Sequence, residues 1–426
     1  MAKATKTILK RLNLRKPEWF LETQKLFNQV AAFYFEVIQA HEEVLALKNK
    51  EALTALERLT MKTKDNPEPA MPLPYDVPAM FRRAAINAAI GSARSFYSTL
   101  HKHHTKKEKM EAKGKKYNRR PPVPPREWNR NVVFYQGMMK ELTLNSVMLK
   151  LYTGTSWAWV KLEFRGRSIP EGWDTGSPHA VVHKNVIQLH FPVEKKIEKP
   201  QKTEKQAQNP DLRICAVDLN MGDRQAVCTI LKSDGTEIAR KFIEGGDFLQ
   251  HRRKRLLGKV AVKRSKYGGI LPEGTQDNAR LWEKIRNIED YEAHRISRRI
   301  VQFAQEHGAT VVVFEHLDNL KPEKGRYSKR SNTKRAYWLK GRIYKYTKYK
   351  AWESGIITAR VNPRNTSKQC SKCNAEVFRH RHGEEPKEYI VGAPLFTCPQ
   401  GHRGNADLNA SRNIGKKLFE RYLKAC

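Results

Sequence analysis

Acidic residues are scarce in this 426-residue chain. Asp and Glu number 44 against 81 Lys and Arg, for a formal net charge of +37 and a pI near 10. Long apolar runs are absent: no stretch reaches the roughly 18 consecutive apolar residues that a membrane-spanning helix needs. The opening Met1-Ala-Lys-Ala-Thr-Lys is charged and has none of the apolar core of a secretory leader. Six cysteines are too few for a disulfide scaffold at this length and fit a reducing cytosolic compartment. Cys215 and Cys228 lie in apolar, strand-like sequence and are expected as reduced core residues. Cys426 is terminal and is given no role, and no internal repeat is visible.

What is abundant is positive charge, spread from end to end. A field of this size calls for a polyanionic partner, because pairing cations with phosphates releases counterions and supplies sequence-independent affinity. A membrane surface is the rival polyanion, but its basic residues would gather beside an anchor. Nucleic acid is the expected partner, and no membrane is expected.

Thr5 to Leu14 has strand character. Lys16-Pro17-Glu18 opens an amphipathic helix with Phe20, Phe27, Val30, Tyr34, Val37, His41 and Val44 on one face. A second helix is expected over Lys50–Lys62. A third is expected from Tyr75 to Leu100, with Met80, Ala84, Ile86, Ala89, Ala93 and Phe96 on its packing face. Lys102–Arg130 is basic and Pro-rich, and is expected as a flexible phosphate-contacting arm. From Asn131 to Val193 the period shortens to that of strands, which suggests a small antiparallel barrel or sheet. Lys195–Asp211 has linker composition. Beyond Leu212, strands at 214–218, 226–231, 237–243, 310–315 and 356–361 interleave with helical stretches at 278–307 and 335–354, an α/β layer.

Three acids stand out. Asp218 and Glu315 each end an apolar β-rich run, Ile214-Cys-Ala-Val-Asp and Val311-Val-Val-Phe-Glu. Asp407 begins a helical segment, Ala406-Asp-Leu-Asn-Ala-Ser-Arg-Asn-Ile. A lone strand-end acid is commonly a cap or a salt-bridge partner. A buried carboxylate is costly unless paired or metal-bound. Three from separate elements can together hold two divalent ions about 3.5–4 Å apart, and all-oxygen ligands suit magnesium.

Cys370-Ser-Lys-Cys373 and Cys398-Pro-Gln-Gly-His402 have the spacing of a closed tetrahedral zinc site in a ribbon hairpin, with His380 and His382 as competing ligands. Between Lys321 and Lys350, cations alternate with Tyr327, Tyr337, Trp338, Tyr344, Tyr346 and Tyr349. That pattern suits single-stranded nucleic acid, and equally suits aromatics serving as core.

The acids, the interposed Cys/His insert and the run Asn362-Pro-Arg-Asn-Thr-Ser-Lys-Gln-Cys-Ser-Lys-Cys resemble the RuvC-type region of transposon-encoded TnpB nucleases and miniature type V CRISPR effectors. The likeness covers Ile214–Ile414, and the N-terminal half matches in layout only. It implies a multidomain α+β and α/β fold: an N-terminal wedge β-barrel interrupted by a helical recognition domain, then an RNase H-like RuvC domain with a zinc-ribbon insert. Residues 1–15 would give the first barrel strand, 16–130 the helical domain with its basic arm, and 131–195 the rest of the barrel. Residues 196–211 would be a linker. Residues 212–364 and 404–426 would form the RuvC-like domain around a target-nucleic-acid-binding insert at 365–403.

Carried over residue by residue, the resemblance makes Asp218, Glu315 and Asp407 ligands of two Mg²⁺ ions, with Arg412 contacting the scissile phosphate. Cys370, Cys373, Cys398 and His402 would hold a structural Zn²⁺. Nucleic-acid contacts are expected from Lys106, Lys107, Lys115, Lys116, Arg119, Arg120, Arg252, Arg253, Lys254, Arg330, Lys334, Arg335 and Arg364. Two positions depart from the pattern: Leu219-Asn220 stands where Leu-Gly is usual, and Gly401-His402 where the second CxxC would end.

The implied activity is Mg-dependent endodeoxyribonuclease cleavage directed by a guide RNA, on duplex target DNA beside a short recognition motif and with a displaced single strand. One or two copies would act on each guide. The implied setting is a prokaryotic cytoplasm, on the nucleoid when DNA is bound. The alternatives are a guided DNA-binding protein that silences without cutting, and an unguided transposon-associated nuclease.

Overall fold

In the computed structural model, residues 1–13, 18–64, 66–183, 186–266 and 277–423 are described. The expected strand end at Leu14, the helix opening at Lys16-Pro17 and Cys426 lie outside these residues. The chain divides into two compact units, Thr5–Lys195 and Lys196–Cys426, the latter joined by Met1–Ala4.

The N-terminal unit takes strand β1 (Ala2–Leu12) from Thr5 onward, and the strand's alternation buries Ile8 and Leu12 in its core. Helix α1 (Glu18–Ala40) buries the expected Phe20, Phe27, Val30, Tyr34 and Val37. It stops before His41, and Val44 belongs to a separate 3₁₀ turn, Glu42–Ala46. Helices α2 (Asn49–Thr60) and α3 (Ala79–Glu111) follow. The alanines at 84, 85, 89 and 93 leave α3 a shallow face against α1, while Met80, expected there, is exposed.

Helix α3 runs past Leu100 to Glu111, so the first third of the expected flexible arm is helical. Lysines and glutamates are good helix formers, and Lys107 pairs with Glu111 at 3.8 Å one turn on. The chain then folds back, with the Arg119 carbonyl 3.0 Å from His103 Nε2.

The remaining strands of this unit are β2 (Val132–Val133), β3 (Met139–Lys140), β4 (Ser146–Tyr152), β5 (Trp157–Gly166), β6 (Asp174–Thr175), β7 (His179–His183) and β8 (Val186–Ile197). They form one sheet in the order β2-β7-β8-β1-β5-β4-β3, with β6 beside β8. Among the described residues no hydrogen-bonded pairing joins β3 back to β2, so the ladder stops short of a closed barrel.

The second unit opens with the short α4 (Thr203–Gln206) inside the expected linker. Strands β9 (Arg213–Leu219), β10 (Ala226–Lys232) and β11 (Glu237–Ile243) run as an antiparallel meander. Helices α5 (Gly246–Ser265) and α6 (Ala279–Glu306) precede β12 (Val311–Glu315), which lies parallel to β9. After α7 (Lys329–Ala336) and α8 (Lys340–Glu353), β13 (Ile357–Val361) completes the order β11-β10-β9-β12-β13. Hairpin strands β14 (Phe378–His380), β15 (Leu395–Thr397) and β16 (Arg403–Asn405) lead directly into α9 (Ala406–Leu423).

Both faces of the five-stranded sheet are covered, which explains its unbroken apolar runs. Cys215, Val217, Ile230 and Phe314 pack with α6 and α8 residues such as Ile296, Ile300 and Ile343. Ile214, Ala216, Leu231 and Val313 pack with Ile414 and Leu418 of α9. Cys215 and Cys228 are fully buried free thiols, as expected. Among the described residues, no helix is long and apolar enough to cross a membrane.

Candidate active site and metal centre

Period-two alternation puts two acids on one face of the sheet. Ile214 and Ala216 face α9, so Asp218 does too; Val311 and Val313 face α9, so Glu315 does too. The parallel register sets Phe314 beside Val217, which makes Asp218 and Glu315 neighbours at the carboxyl ends of adjacent strands. Such ends are where open α/β sheets bind ligands. Helix α9 starts over this edge, and its first turn carries Asp407. The Asn405 side chain caps the helix, accepting from the backbone N–H groups of Asp407 at 3.1 Å and Leu408 at 2.9 Å.

The approach of α9 is set by small and polar residues. A Cβ on Gly415 would run into Leu231 Cδ1 and lie 3.2 Å from Ala216 Cβ, so the helix axis can come this close only at glycine. Ser411 donates to the Ala216 carbonyl at 2.9 Å. Asn409 and Asn413, one turn apart, each bond the Gln369 carbonyl at 2.7 Å. The Asn-Ala-Asp-Leu-Asn-Ala-Ser-Arg-Asn run is therefore a docking surface that seats both the sheet and the loop before the cysteines.

Each acid has its own holder. Asn220 Nδ2 donates to Asp218 Oδ2 at 3.0 Å, Thr366 Oγ1 donates to Glu315, and Arg379 donates to Asp407 Oδ1 at 2.9 Å. Arg379 is itself buried on β14 and donates its Nε to the Ala393 carbonyl at 2.9 Å. Burial first, then the charges of Glu315 and Asp407, push the Asp218 carboxyl well above its ordinary range. Burial also raises Glu315, against the opposing pull of Thr366 and Lys417. Asn220 does not take a left-handed backbone, so the position tolerates a side chain, and that side chain is aimed at the acid. Arg379 and Lys417 escaped the sequence reading, and Thr366 entered it only as part of the Asn362–Cys373 run; the fold brings all three to the acids.

Arg412 points elsewhere. Its Nε donates to Glu237 of β11 at 2.5 Å, beside the sheet rather than among the three carboxylates.

The four expected zinc ligands converge, with all donor atoms within 4.8 Å of one another. Cys373 Sγ lies 3.7 Å from Cys398 Sγ, and His402 Nδ1 lies 3.5 Å from Cys398 Sγ and 3.7 Å from Cys370 Sγ. A tetrahedral zinc with bonds of roughly 2.3 Å to sulfur and 2.05 Å to nitrogen requires about 3.8 and 3.6 Å for these separations. The donor set fits the ion. His380 is instead bonded to Thr397 Oγ1 at 3.1 Å on the ribbon, and His382 is exposed.

The expected nucleic-acid residues divide. Lys106, Lys107, Lys115, Lys116, Arg119, Arg120, Arg252, Lys254, Arg330, Lys334 and Arg364 are exposed. Arg253 turns inward, 3.6 Å from the buried Glu289 and 4.6 Å from the Tyr337 ring, and Arg335 lies 3.9 Å over Tyr327. The aromatic series after Lys321 is likewise mostly internal. Trp338, Tyr344 and Tyr346 pack on the core, with Tyr346 stacked 3.9 Å from His294.

A TnpB-like protein of Aquifex aeolicus (strain VF5) is 33% identical over 230 residues, covering 52% of this chain and 68% of that protein. The chain belongs to the TnpB-like family. The family model for the Cas12f1-like TNB domain matches residues 341–414, which include the Cys/His centre and the start of α9. The Aq_aa04 family model matches residues 3–153. The CRISPR-associated endodeoxyribonuclease Cas12f1 of Sulfoacidibacillus thermotolerans is 30% identical over 184 residues, spanning 41% of this TnpB-like chain and 40% of that protein. The fold matches the mini-RNA-guided endonuclease CRISPR-Cas_phi3, with TM-score 0.55 at 12% identity over 97% of this chain and 92% of that one. It also matches Cas12f1 from an sgRNA–target DNA complex, with TM-score 0.52 at 16% identity over 93% and 82%.

Proposed function

We propose that this TnpB-like chain is an RNA-guided DNA endonuclease whose single active centre is Asp218, Glu315 and Asp407. The supporting observation is their convergence: two parallel strand ends and one helix start present three carboxylates on one face, each held by a different donor. Clustered, largely buried carboxylates of like charge suit divalent cations, whose preferred ligands are oxygens. Magnesium bound there would polarise the scissile phosphate and lower the pKa of an attacking water.

The protein's own part is positional. Asn220, Thr366 and Arg379 fix the three carboxylates before substrate arrives, and Lys417 adds positive charge beside Glu315. Cys370, Cys373, Cys398 and His402 would hold a structural zinc. Because Arg379 sits on the ribbon strand β14, that zinc would steady a residue of the active centre. The unpaired surface cations would grip guide RNA and target DNA through their backbones, leaving sequence reading to base pairing.

The test is purification from the native host, sequencing of the co-purifying small RNA, and incubation of that complex with matching duplex DNA and Mg²⁺. Guided double-strand cuts support the reading. Binding without cuts points to silencing, and absence of a defined small RNA points to an unguided nuclease. Mass photometry of the same complex gives the number of chains per guide.

A further inference from the structure

Helix α5 sorts its cations onto two sides. Arg253 is sequestered against Glu289 and Tyr337, fastening α5 to α6 and to the residue that ends α7. Arg252, Arg255 and Lys259 instead line a groove of about 470 Å³ between α5 and α6, opposite Lys284 and Asn287, over an apolar floor of Leu256 and Ile288. Among the described residues, none of these four cations has an ion-pair partner. Among the described residues, no acid lines the groove.

Exposed aromatics flank it. Phe248, 62% exposed, stands one turn before Arg252, whose guanidinium lies 5.4 Å from its ring. Tyr291, 66% exposed, stands one turn after Asn287. From Phe248 to Lys259 the stripe extends roughly 17 Å along α5, at 1.5 Å per residue.

The first turn of α5, which precedes the groove, is anchored to the turn after Asp218. A Cβ on Gly246 would collide with the Gly222 carbonyl oxygen, and Gly246 N–H donates to the Asp223 carbonyl at 2.9 Å. Gln250 donates to the Met221 carbonyl at 3.0 Å. The first turn of α5 is thus clasped to the β9–β10 turn that follows Asp218 and Asn220.

We propose that the α5–α6 groove is a track for single-stranded DNA, feeding the strand to the carboxylate centre; this rests on the nuclease reading above. Cations alone would serve any nucleic-acid backbone. Two exposed rings add contacts only for unpaired bases, since a duplex keeps its base faces stacked inside.

The experiment uses the full chain without guide or metal, so it reads binding even if no cleavage is ever found. An oligo(dT) carrying 5-iododeoxyuridine is photocrosslinked and the adducts are mapped by mass spectrometry. Crosslinks at Phe248 and Tyr291 are expected. In fluorescence anisotropy with labelled oligo(dT), Phe248→Ala with Tyr291→Ala is expected to weaken binding on the order of ten-fold or more. Replacing Arg252, Arg255, Lys259 and Lys284 by Gln is expected to flatten the log–log salt dependence by about 2 to 3, at roughly 0.7 per single-strand phosphate contact. Crosslinks confined to other segments, or single-strand binding unchanged in both variants, overturn the track. So does a loss confined to guide RNA or RNA–DNA heteroduplex. Absence of guided cleavage by the wild-type complex would instead overturn the nuclease reading and leave the crosslinking result standing.

Discussion

Asp218→Asn should make the metal-free protein more stable while removing its activity. The substitution preserves shape and leaves a carbonyl oxygen for the Asn220 amide, now 3.0 Å from Asp218 Oδ2. What it removes is a charge whose carboxyl is raised by burial and by the Glu315 and Asp407 charges. A carboxyl raised on folding binds its proton more tightly in the folded state. Its contribution to stability is therefore full below the unfolded pKa of about 3.9 and is lost as pH rises through the raised folded value. Each unit of such a shift corresponds to about 1.36 kcal/mol. Relief of a buried, poorly compensated charge is expected to give on the order of 1–3 kcal/mol near neutral pH. For a unit of this size that is roughly 2–12 °C in the thermal transition.

The assay is thermal unfolding of both proteins in chelator, from acid to neutral pH, and again with Mg²⁺. In chelator the variant should melt higher, and the gap should close toward acid. With Mg²⁺ the wild type should gain about 2.7 kcal/mol when the ion is at a hundred times its dissociation constant, and the variant far less. A variant that melts lower in chelator at neutral pH and responds fully to Mg²⁺ would refute the reasoning.

Arg379→Met strands the Asp407 carboxylate and the Ala393 carbonyl. It should cost about 2–5 kcal/mol by thermal unfolding, and guided cleavage should fall at least a hundred-fold while guided binding persists. Elemental analysis of the wild type is expected to give one zinc per chain, which Cys373→Ser or His402→Ala should abolish and chelation should remove. Gly415→Ala pushes α9 off Leu231 and Ala216, and should lower stability by about 1–3 kcal/mol in denaturant titration.

The sheet and its two strand-end acids were legible because a doubly covered sheet must be apolar on both faces, so a terminal carboxylate breaks the run visibly. The Cys/His centre was legible through spacing, and geometry chose His402 over His380 and His382. The last third of α3, beyond Leu100, was not legible, because an exposed lysine-rich helix has no apolar stripe to betray it. Arg379 was missed because its partner lies 28 residues away across an insert, a relation without periodicity. Arg253 and Arg252 look alike in a basic run; only the packing of α5 on α6 separates a structural cation from a free one. The aromatics after Lys321 are mostly internal, whereas Phe248 and Tyr291, which carry no sequence signature at all, are exposed.

Three carboxylates on one sheet face form the proposed cutting centre. Its most direct test is single-turnover cleavage of a matched duplex by guided wild type, Asp218→Ala and Glu315→Ala, with target binding measured in parallel. Cleavage by wild type, none by either variant, and equal target binding by all three is the predicted result. Cleavage retained by either variant at near wild-type rate would contradict it.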